Sequence, residues 1–386
     1  MRAATWVALP ALAGAAVLAS LAAVGPRTGA ELARAALAWV RCFAPGPVFV
    51  AALGAGQFTN RAGGRIGPVA RGLALAAVLL AVFLPLFVTA DPAFADMVDD
   101  ALGWDVDRPV DRFAAALLVL ALAGALALAR GAESRPAGPA RARVGRVEWT
   151  IALVGLNALF LAFLAVQLTA LFGGHDYVQR STGLTYAQYA RQGFGQLLVV
   201  AGLTLAVVGA AWRWARRDTR REERALKLAL GVLCVLTLAV VASALRRLGL
   251  YEAAFGSTRL RMAAQAGTVW VGALFVLMLV AGTLKRETWL PRAVSAVSAV
   301  ALLGFGLSNP DARIAERNVA RFERTGQIDL YYAAGLSPDA APALARLPPE
   351  QARDALELMP EALGEPEGLA GLNLGRARAR AALRTR

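Results

Sequence analysis

The sequence has few of the residues from which metal sites and disulfide frameworks are built. Its 386 residues include two cysteines and one histidine. Cys42 and Cys234 both lie in apolar stretches, where a thiol usually packs as a small hydrophobic group. Two cysteines are too few for a disulfide framework, and one histidine without a cysteine pair gives a zinc site of the usual kind too few ligands. We therefore expect neither a metal site nor a cofactor.

Charged residues are also scarce. They make up 18% of the chain against 58% hydrophobic residues, and the mean hydropathy is +0.52. A soluble domain of this length is about half apolar and has a larger charged fraction for its water-facing surface. Apolar runs of about 18 or more residues, separated by short charged clusters, are typical of membrane-spanning helices. The composition therefore predicts an integral membrane protein in contact with a lipid bilayer.

The apolar runs predict an all-α protein, a polytopic bundle of transmembrane helices with a small helical tail. A helix needs about 20 apolar residues to cross the hydrocarbon core, where its backbone groups must be paired internally. Nine candidate spans meet this requirement: 6–24, 35–55, 72–90, 110–129, 149–172, 194–214, 226–245, 263–284 and 288–307.

The first two spans have alternatives. The first run, after Arg2, ends in small residues around Ala22 and Ala23, as a cleaved signal peptide does, but it is longer than the usual apolar core of one. The second contains Arg41 and the helix-breaking Pro45 and Pro47, so it either crosses, leaving nine spans, or is re-entrant or interfacial, leaving eight.

The net charge of +14 is nearly all arginine. In a soluble protein such an excess would suggest nucleic acid, but in a membrane protein it reflects the retention of basic residues in the cytoplasm. Linkers 135–146 and 216–224 are rich in arginine and should be cytoplasmic. The prediction is a bacterial cytoplasmic (inner) membrane protein, with its N-terminus inside and its C-terminus outside. Besides anchoring the topology, one linker offers a site for anionic lipid at Arg216, Arg217, Arg220 and Arg221.

After residue 307 the chain becomes polar, which predicts a transmembrane domain of residues 1–307 and a soluble tail of residues 308–386. Asn309, Pro310 and Asp311 form a helix start, with a capping residue, a first-turn proline and an acid near the positive end of the dipole. Ser337, Pro338 and Asp339 repeat this pattern. The tail should therefore consist of several short helices.

Acidic residues gather in the linker 91–111, which should lie outside. Paired carboxylates can hold a divalent cation or divide acid and base roles, so the candidate catalytic residues are Asp99, Asp100, Asp105 and Asp107. The alternative is a solvated acidic loop beside an interfacial helix. His175 and Asp176 are a second candidate acid–base pair, although neighbours in sequence rarely point at one another and no nucleophile motif accompanies them.

The linker 246–261 is unusual for an outer loop because it carries four arginines. Arginines there suit a phosphate or carboxylate ligand, or they pair with the acidic linker 91–111 and serve the fold. The spans themselves lack carboxylates at their middles, which disfavours an ion-coupled transporter without excluding one.

Five segments together resemble a known family. They are ADPAF at 90–94, LTYAQYARQGF at 184–194, LYEAAFGSTRLR at 250–261, NPD at 309–311 and LSPDA at 336–340. They resemble the bacterial polytopic membrane proteins grouped as domain of unknown function 4153/4173, and the likeness runs from about residue 72 to 347. It implies a helical fold and a membrane location, but no activity and no catalytic residue. Candidate binding residues in and around these segments are Tyr186, Tyr189, Arg191, Tyr251, Glu252, Arg259 and Arg261.

These observations favour a non-enzymatic membrane module, a sensor, scaffold or assembly protein, with a protein partner at the outer loops and tail. One alternative is a membrane-embedded transferase that acts on lipid-linked substrates through Asp99, Asp100, Asp105 or Asp107 together with Arg259 or Arg261. A second is a transporter, which needs a polar cavity between the spans.

Overall fold

The computed structural model describes residues 66–102, 144–172, 193–284 and 289–359. The predicted spans 6–24, 35–55 and 110–129 and the last stretch of the tail, residues 360–386, lie outside the described residues.

The described residues are mostly helical. The longer helices are α1 (Ile66–Ala90), α2 (Pro92–Leu102), α3 (Arg146–Phe172), α4 (Phe194–Trp214), α5 (Arg220–Phe255), α6 (Arg259–Thr283), α7 (Leu290–Leu307) and α8 (Pro310–Thr325). Beyond them lie α9 (Leu330–Ala334), a 3₁₀ helix (Pro338–Ala340), α10 (Ala341–Leu344) and α11 (Pro349–Glu357). The predicted all-α polytopic bundle is thereby confirmed.

Six of the described helices, α1 and α3 to α7, are long and apolar enough to cross a membrane. They correspond to six of the nine predicted spans. The seventh, predicted at 226–245, is among them, but the prediction was wrong about its limits and about the loop after it. Helix α5 instead continues through Arg246 and Arg247 to Phe255, because basic residues are good helix formers and interrupt a hydropathy pattern without interrupting a helix.

The described residues divide into two compact units. Unit 1 consists of Leu248–Trp270 and the residues from Pro291 to Met359, and unit 2 consists of the residues from Ile66 to Arg247 together with Val271–Leu290. Helices α5 and α6 contribute residues to both.

Unit 2 is held together by an aromatic core between α1, α2 and α3. Phe87 stacks on Phe163 with ring centroids 4.1 Å apart, and it meets Phe160 edge-on at 4.9 Å. Phe94 of α2 packs edge-on against Phe163 at 5.3 Å. All four rings are fully buried, and aromatic pairs of this geometry add to the stabilisation that burial gives.

Contacts at the two ends of unit 2 fix the direction of its helices. At one end, which we call the arginine end, Val144 donates to the Trp214 carbonyl at 3.0 Å, and Arg216 donates to the Val144 carbonyl at 2.9 Å. The start of α3 therefore lies beside the connection between α4 and α5. At the other end, which we call the Asp91 end, Arg247 of α5 binds Asp91, the residue between α1 and α2. Helices α3 and α5 thus run in the same direction.

Large apolar side chains remain exposed on the outer faces of these helices. Val154, Leu161 and Leu168 follow one another at seven-residue intervals along α3 and are 52–60% exposed. The opposite face of α3 carries the buried Phe160 and Phe163. An uninterrupted apolar stripe with a packed core behind it is the surface that lipid covers in a membrane protein.

Unit 1 has a small core of its own. Helix α8 is amphipathic, and it buries Ile314, Ala315 and Val319 along one face. These side chains pack with Met262 of α6 and with apolar residues of α9 to α11, including Leu344. The helix ends at Gly326, which has a φ of 69° and donates to the Phe322 carbonyl, as a C-terminal glycine commonly does. The predicted helix start at residues 309–311 is confirmed, but Asn309 was wrongly expected to cap it: its φ is 54° and its side chain makes no capping hydrogen bond.

Candidate functional site

The segment 250–261 connects α5 to α6 through Gly256, Ser257 and Thr258. Gly256 has a φ of 81°, and a Cβ there would lie 2.9 Å from Oδ1 of Asn318. The side-chain amide of Asn318, on α8, makes two hydrogen bonds to this turn. Its Oδ1 accepts from the Ser257 N–H at 2.7 Å, and its Nδ2 donates to the Ser257 carbonyl at 3.0 Å. A side chain on residue 256 would therefore separate α8 from the turn.

Arg259, one of the candidate binding residues, is engaged by the tail. Its guanidinium makes two hydrogen bonds to the Asp311 carboxylate, from Nε to Oδ1 at 3.0 Å and from Nη2 to Oδ2 at 2.7 Å. Its backbone N–H donates to the Tyr332 hydroxyl at 2.7 Å. Asp311 is fully buried and also accepts from the Ser337 N–H at 2.9 Å. This one carboxylate thus joins the segments 250–261, 309–311 and 336–340.

The surroundings of Asp311 set its protonation state. Burial by itself raises the pKa of the carboxyl group, but the hydrogen bonds from Arg259 and from the Ser337 N–H, with the positive charge of Arg259, outweigh it and hold the pKa below its ordinary value. Donors aimed at a carboxylate favour its charged form. Asp311 is therefore an anion near neutral pH, as the paired geometry requires.

Further arginines satisfy the carbonyl groups at the C-terminal end of α5. The last carbonyls of a helix lack an intrahelical partner. Arg321 of α8 donates to the carbonyls of Ala253 at 3.2 Å and Ala254 at 2.6 Å. Arg261 donates to the Gly256 carbonyl, and its guanidinium lies 4.0 Å from the centre of the Tyr251 ring. Cations here also complement the negative end of the helix dipole.

Glu252 lies next to this cluster with only 8% of its surface exposed. Its Oε2 accepts from Nη1 of Arg317 at 3.2 Å, and the same nitrogen lies 3.3 Å from Oε1 of Gln265. The other carboxylate oxygen, Oε1, is buried and has no hydrogen-bond partner among the described residues. The segment 250–261 therefore carries one buried acceptor that the surrounding side chains leave open.

The Asp91 end of unit 2 has a second buried charge cluster. Asp91 is fully buried and Arg247 is 4% exposed. The guanidinium of Arg247 binds the Asp91 carboxylate and donates to the Ala90 carbonyl at 2.7 Å, while Nε2 of Gln167 lies 3.5 Å from Asp91 Oδ2. This is the pairing of an arginine from 246–261 with an acid from 91–111 that the sequence offered as a structural role.

Two further features lock this cluster. Asp91 accepts from the N–H groups of Ala93 at 3.0 Å and Phe94 at 3.4 Å, and so caps the start of α2. Gly193, just before α4, has a φ of 84°, and a Cβ there would lie 2.0 Å from the Ala90 oxygen. The segments 90–94 and 184–194 therefore meet at this residue, where backbones touch and only glycine fits.

The other candidates are placed as follows. Asp99 and Asp100 lie on α2, the first half-buried and the second exposed. Asp105, Asp107, His175, Asp176, Tyr186, Tyr189 and Arg191 lie outside the described residues. Within residues 66–102, 144–172, 193–284 and 289–359, no group of three or more histidine, cysteine or acidic side chains is arranged to hold a metal ion.

Sequence reasoning missed the partners that make these clusters. Asp91 was counted with the solvated acidic linker, and Asp311 only as a helix-start acid. One signal could have found Arg247: a charged residue that continues an apolar helix is costly unless it has a buried partner. No comparable signal marks Asn318 or Arg321, since polar residues on an amphipathic helix usually face water.

The family comparison covers both clusters. The model of the family described as "Domain of unknown function (DUF4153)" matches residues 1–347, and the chain belongs to this family. No curated protein and no solved structure matches the chain. The family contributes no activity, so function has to be argued from the arrangement of the residues.

Proposed function

We propose that this member of the family of unknown function DUF4153 is a non-enzymatic membrane module, a sensor, scaffold or assembly protein, whose unit 1 presents a rigid recognition surface to a protein partner. The observation that carries the proposal is that the arginines in 250–261 are engaged by contacts within unit 1. Arg259 makes two hydrogen bonds to the Asp311 carboxylate. Arg261 donates to the Gly256 carbonyl and stacks on the Tyr251 ring. These charges hold the tail in place.

A tail held this firmly suits recognition. Binding a partner costs less when the surface is already ordered, because little conformational entropy is lost on association. Three described segments that are distant in sequence are fixed to one another through Asp311, and Asn318 fixes the turn beside them.

Unit 1 also exposes large apolar and aromatic side chains beside this frame. Tyr331 is 86% exposed and Leu260 is 80% exposed. Each is next in sequence to a residue of the frame, since the backbone N–H of Arg259 donates to the Tyr332 hydroxyl. Tyrosine is enriched among the residues that dominate binding energy at protein interfaces. We assign Tyr331 and Leu260 to the partner-binding surface.

The transferase alternative draws less support from these residues. It needs Arg259 or Arg261 to hold a phosphate group near a carboxylate pair. The Arg259 guanidinium already makes two hydrogen bonds to the buried Asp311 carboxylate. It would have to break this partly buried ion pair before it could bind a substrate. The transporter alternative has no specific observation in its favour.

We further infer that the protein lies in a bacterial cytoplasmic membrane with the arginine end of unit 2 facing the cytoplasm and the tail facing outward. The backbone bonds of Val144 bring the last residues of one arginine-rich linker beside Arg216, the first residue of the other, and Asp91 lies at the other end of unit 2. This supports a common cytoplasmic side under the positive-inside rule. Alkaline phosphatase fused after Arg386 should be active, and green fluorescent protein at the same point should be dark; the reverse pattern would refute the orientation.

The recognition surface can be tested by affinity purification of the full chain after cross-linking in its native membrane. We expect a stoichiometric protein partner with the wild type, and its loss on substitution Tyr331→Ala combined with Leu260→Ser. Truncation after Leu307 should abolish recovery as well. The matched control is Leu161→Ala, which removes an apolar side chain with 60% exposure from the membrane face of α3.

Two results would count against the proposal. One is the recovery of no stoichiometric partner from the wild type. The other is the recovery of the same partner, in the same amount, from the Tyr331→Ala/Leu260→Ser variant and from the Leu161→Ala control. Size-exclusion profiles of all variants should be compared first, so that loss of the partner is scored only for protein that remains folded.

A further inference from the structure

A groove of about 680 Å³ runs along the outside of unit 2 between α3 and α5. It begins at the arginine end, and its walls come from the first turns of α3 and from the part of α5 that lies beside them. Residues that line it include Arg146, Trp149, Val154, Asn157, Leu228 and Val232. Its volume is within the range of small-molecule sites in proteins, about 300–1,000 Å³.

The chemistry of the groove changes along its length. Because α3 and α5 run in the same direction, Arg146 lies at one end of the groove, and Val154 and Val232 lie about two or more turns further into the membrane-spanning parts of their helices. Val154, Leu228 and Val232 are 60%, 70% and 43% exposed. A cationic mouth followed by an apolar channel matches a molecule with an anionic head and a hydrocarbon tail.

Arg146 is not the only source of positive charge at the mouth of the groove. The α5 residues that line the groove are spaced as one helical stripe, at positions 225, 228, 229 and 232. Residues four positions apart share a helix face, so Arg221 and Arg224 continue this stripe toward the mouth. Both are exposed, and neither forms an ion pair with another residue in the part of the chain that the structure describes. Arg146 itself forms an ion pair with Glu222 of α5, in which its Nη1 lies 3.8 Å from the Glu222 Oε1.

Two polar groups of the lining residues lack partners in the described structure. Trp149 is 4% exposed and its indole N–H is buried without an acceptor. Asn157 donates to the carbonyls of Leu153 at 2.8 Å and Ala229 at 3.2 Å, which ties the two helices together, but its own oxygen Oδ1 has no donor. Unpaired polar groups are costly in hydrocarbon. An ester carbonyl of a glycerophospholipid can accept from the Trp149 indole N–H, whereas Asn157 Oδ1 is itself an acceptor and needs a donor.

We propose that this groove binds one anionic glycerophospholipid, with its phosphate held by Arg146, Arg221 and Arg224 and one acyl chain lying along Val154, Leu228 and Val232. Arginine suits phosphate because its planar fork makes two parallel hydrogen bonds. The site shares Arg221 with the basic cluster Arg216, Arg217, Arg220 and Arg221 considered above, but it differs from that cluster because an apolar channel defines it as well as charge.

The test uses the full chain, purified in detergent and reconstituted in nanodiscs of phosphatidylglycerol or of phosphatidylcholine. Native mass spectrometry should find one phosphatidylglycerol retained by the wild type and no phosphatidylcholine. Each arginine near an anionic lipid surface contributes about five-fold in affinity. The Arg221→Gln/Arg224→Gln variant should therefore lose about 25-fold in affinity for phosphatidylglycerol. Arg213→Gln, which removes an exposed arginine from the last turn of α4, is the matched control and should have little effect.

A second pair of variants separates the groove from a diffuse basic surface. Leu228→Trp fills the channel at a position that is 70% exposed, and Val199→Trp adds the same bulk at a 47% exposed position of α4, away from the groove. Since both side chains face outward, both proteins should fold. We expect Leu228→Trp to expel the retained lipid and Val199→Trp to keep it. Equal retention in both, equal loss with Arg213→Gln, equal binding of phosphatidylcholine, or no retained lipid would each overturn the proposal.

Discussion

Substitution Asp311→Asn tests whether one buried carboxylate holds the tail to the segment 250–261. Asparagine keeps the size of the side chain and one acceptor oxygen, but it removes the charge and the second oxygen that the Arg259 fork uses. The Ser337 N–H, 2.9 Å from Oδ2 in the wild type, then competes with Arg259 for the remaining acceptor. We expect α8 to open locally more often than in the wild type.

The magnitude follows from the geometry. Hydrogen bonds to a charged partner contribute about 1.5–3 kcal/mol each, and Asp311 receives two from the Arg259 guanidinium. Asp311 is fully buried, but 35% of the Arg259 side chain is exposed, so the lower end of that range applies to each bond. Asparagine keeps one acceptor oxygen, so the expected loss is that of one such bond, about 1.5 kcal/mol, which corresponds to an opening equilibrium on the order of 10-fold more favourable.

Hydrogen–deuterium exchange with mass spectrometry measures this opening directly, because amide protection reports the free energy of local unfolding. The purified full chain should show faster exchange in peptides from Pro310–Thr325 at neutral pH, while peptides from α3 keep their wild-type rates. Asp354→Asn is the matched control, since it makes the same chemical change at an exposed position of α11. Unchanged exchange in α8, or an equal increase in the control, would refute the reasoning.

Three further predictions concern pH and the Asp91 end of unit 2. Because the pKa of Asp311 is lower in the folded protein than the unfolded value of about 3.9, its stabilisation of the tail is fully present above that value and is lost as pH falls through the folded pKa; exchange of α8 in Asp311→Asn should lack this acid-dependent component. Gly193→Ala should cost more than about 2 kcal/mol, since it adds a left-handed φ penalty to a Cβ clash with the Ala90 carbonyl; fluorescence-detected size exclusion should show loss of the folded peak, while Gly209→Ala, with open space around it, should elute normally. Asp91→Ala should cost about 3–5 kcal/mol because it leaves the Arg247 guanidinium buried without its counter-charge, and adding Arg247→Met should restore part of the melting temperature; a double variant no more stable than the single one would contradict the pairing.

The sequence predicted the membrane helices well because hydropathy is a local property. Span 194–214 coincides with α4, and 288–307 differs from α7 by two residues at its start. The limits failed at α5, where Arg246 and Arg247 looked like the beginning of a loop. The hydropathy profile falls wherever charged residues occur. A helix nevertheless continues through charged residues that have partners, and the partner of Arg247 is Asp91, 156 positions away.

The candidate site was predictable only in part, for the same reason. The unusual arginines of 250–261 were visible as a pattern, and Asp311 was visible as a helix-start acid. That Arg259 and Asp311 bind each other depends on how α8 packs against that segment, and from the sequence we had named only the acidic linker 91–111 as a partner for the arginines within the chain. A charge pattern in the sequence shows which residues could form ion pairs, whereas the distances in the folded protein decide which of these pairs form.

By itself, the sequence determined that this is a helical membrane protein, where six of the spans lie and where the tail begins to form short helices. Each of these depends on residues within about 20 positions of one another, because burial in lipid and the preference of proline for the first turn of a helix act locally. The tertiary structure alone decided which charges are buried together, why Gly193 and Gly256 have no room for a side chain, and that a groove with a cationic mouth opens between α3 and α5. Those features depend on atoms that meet across many tens of residues, and no local pattern encodes such distances.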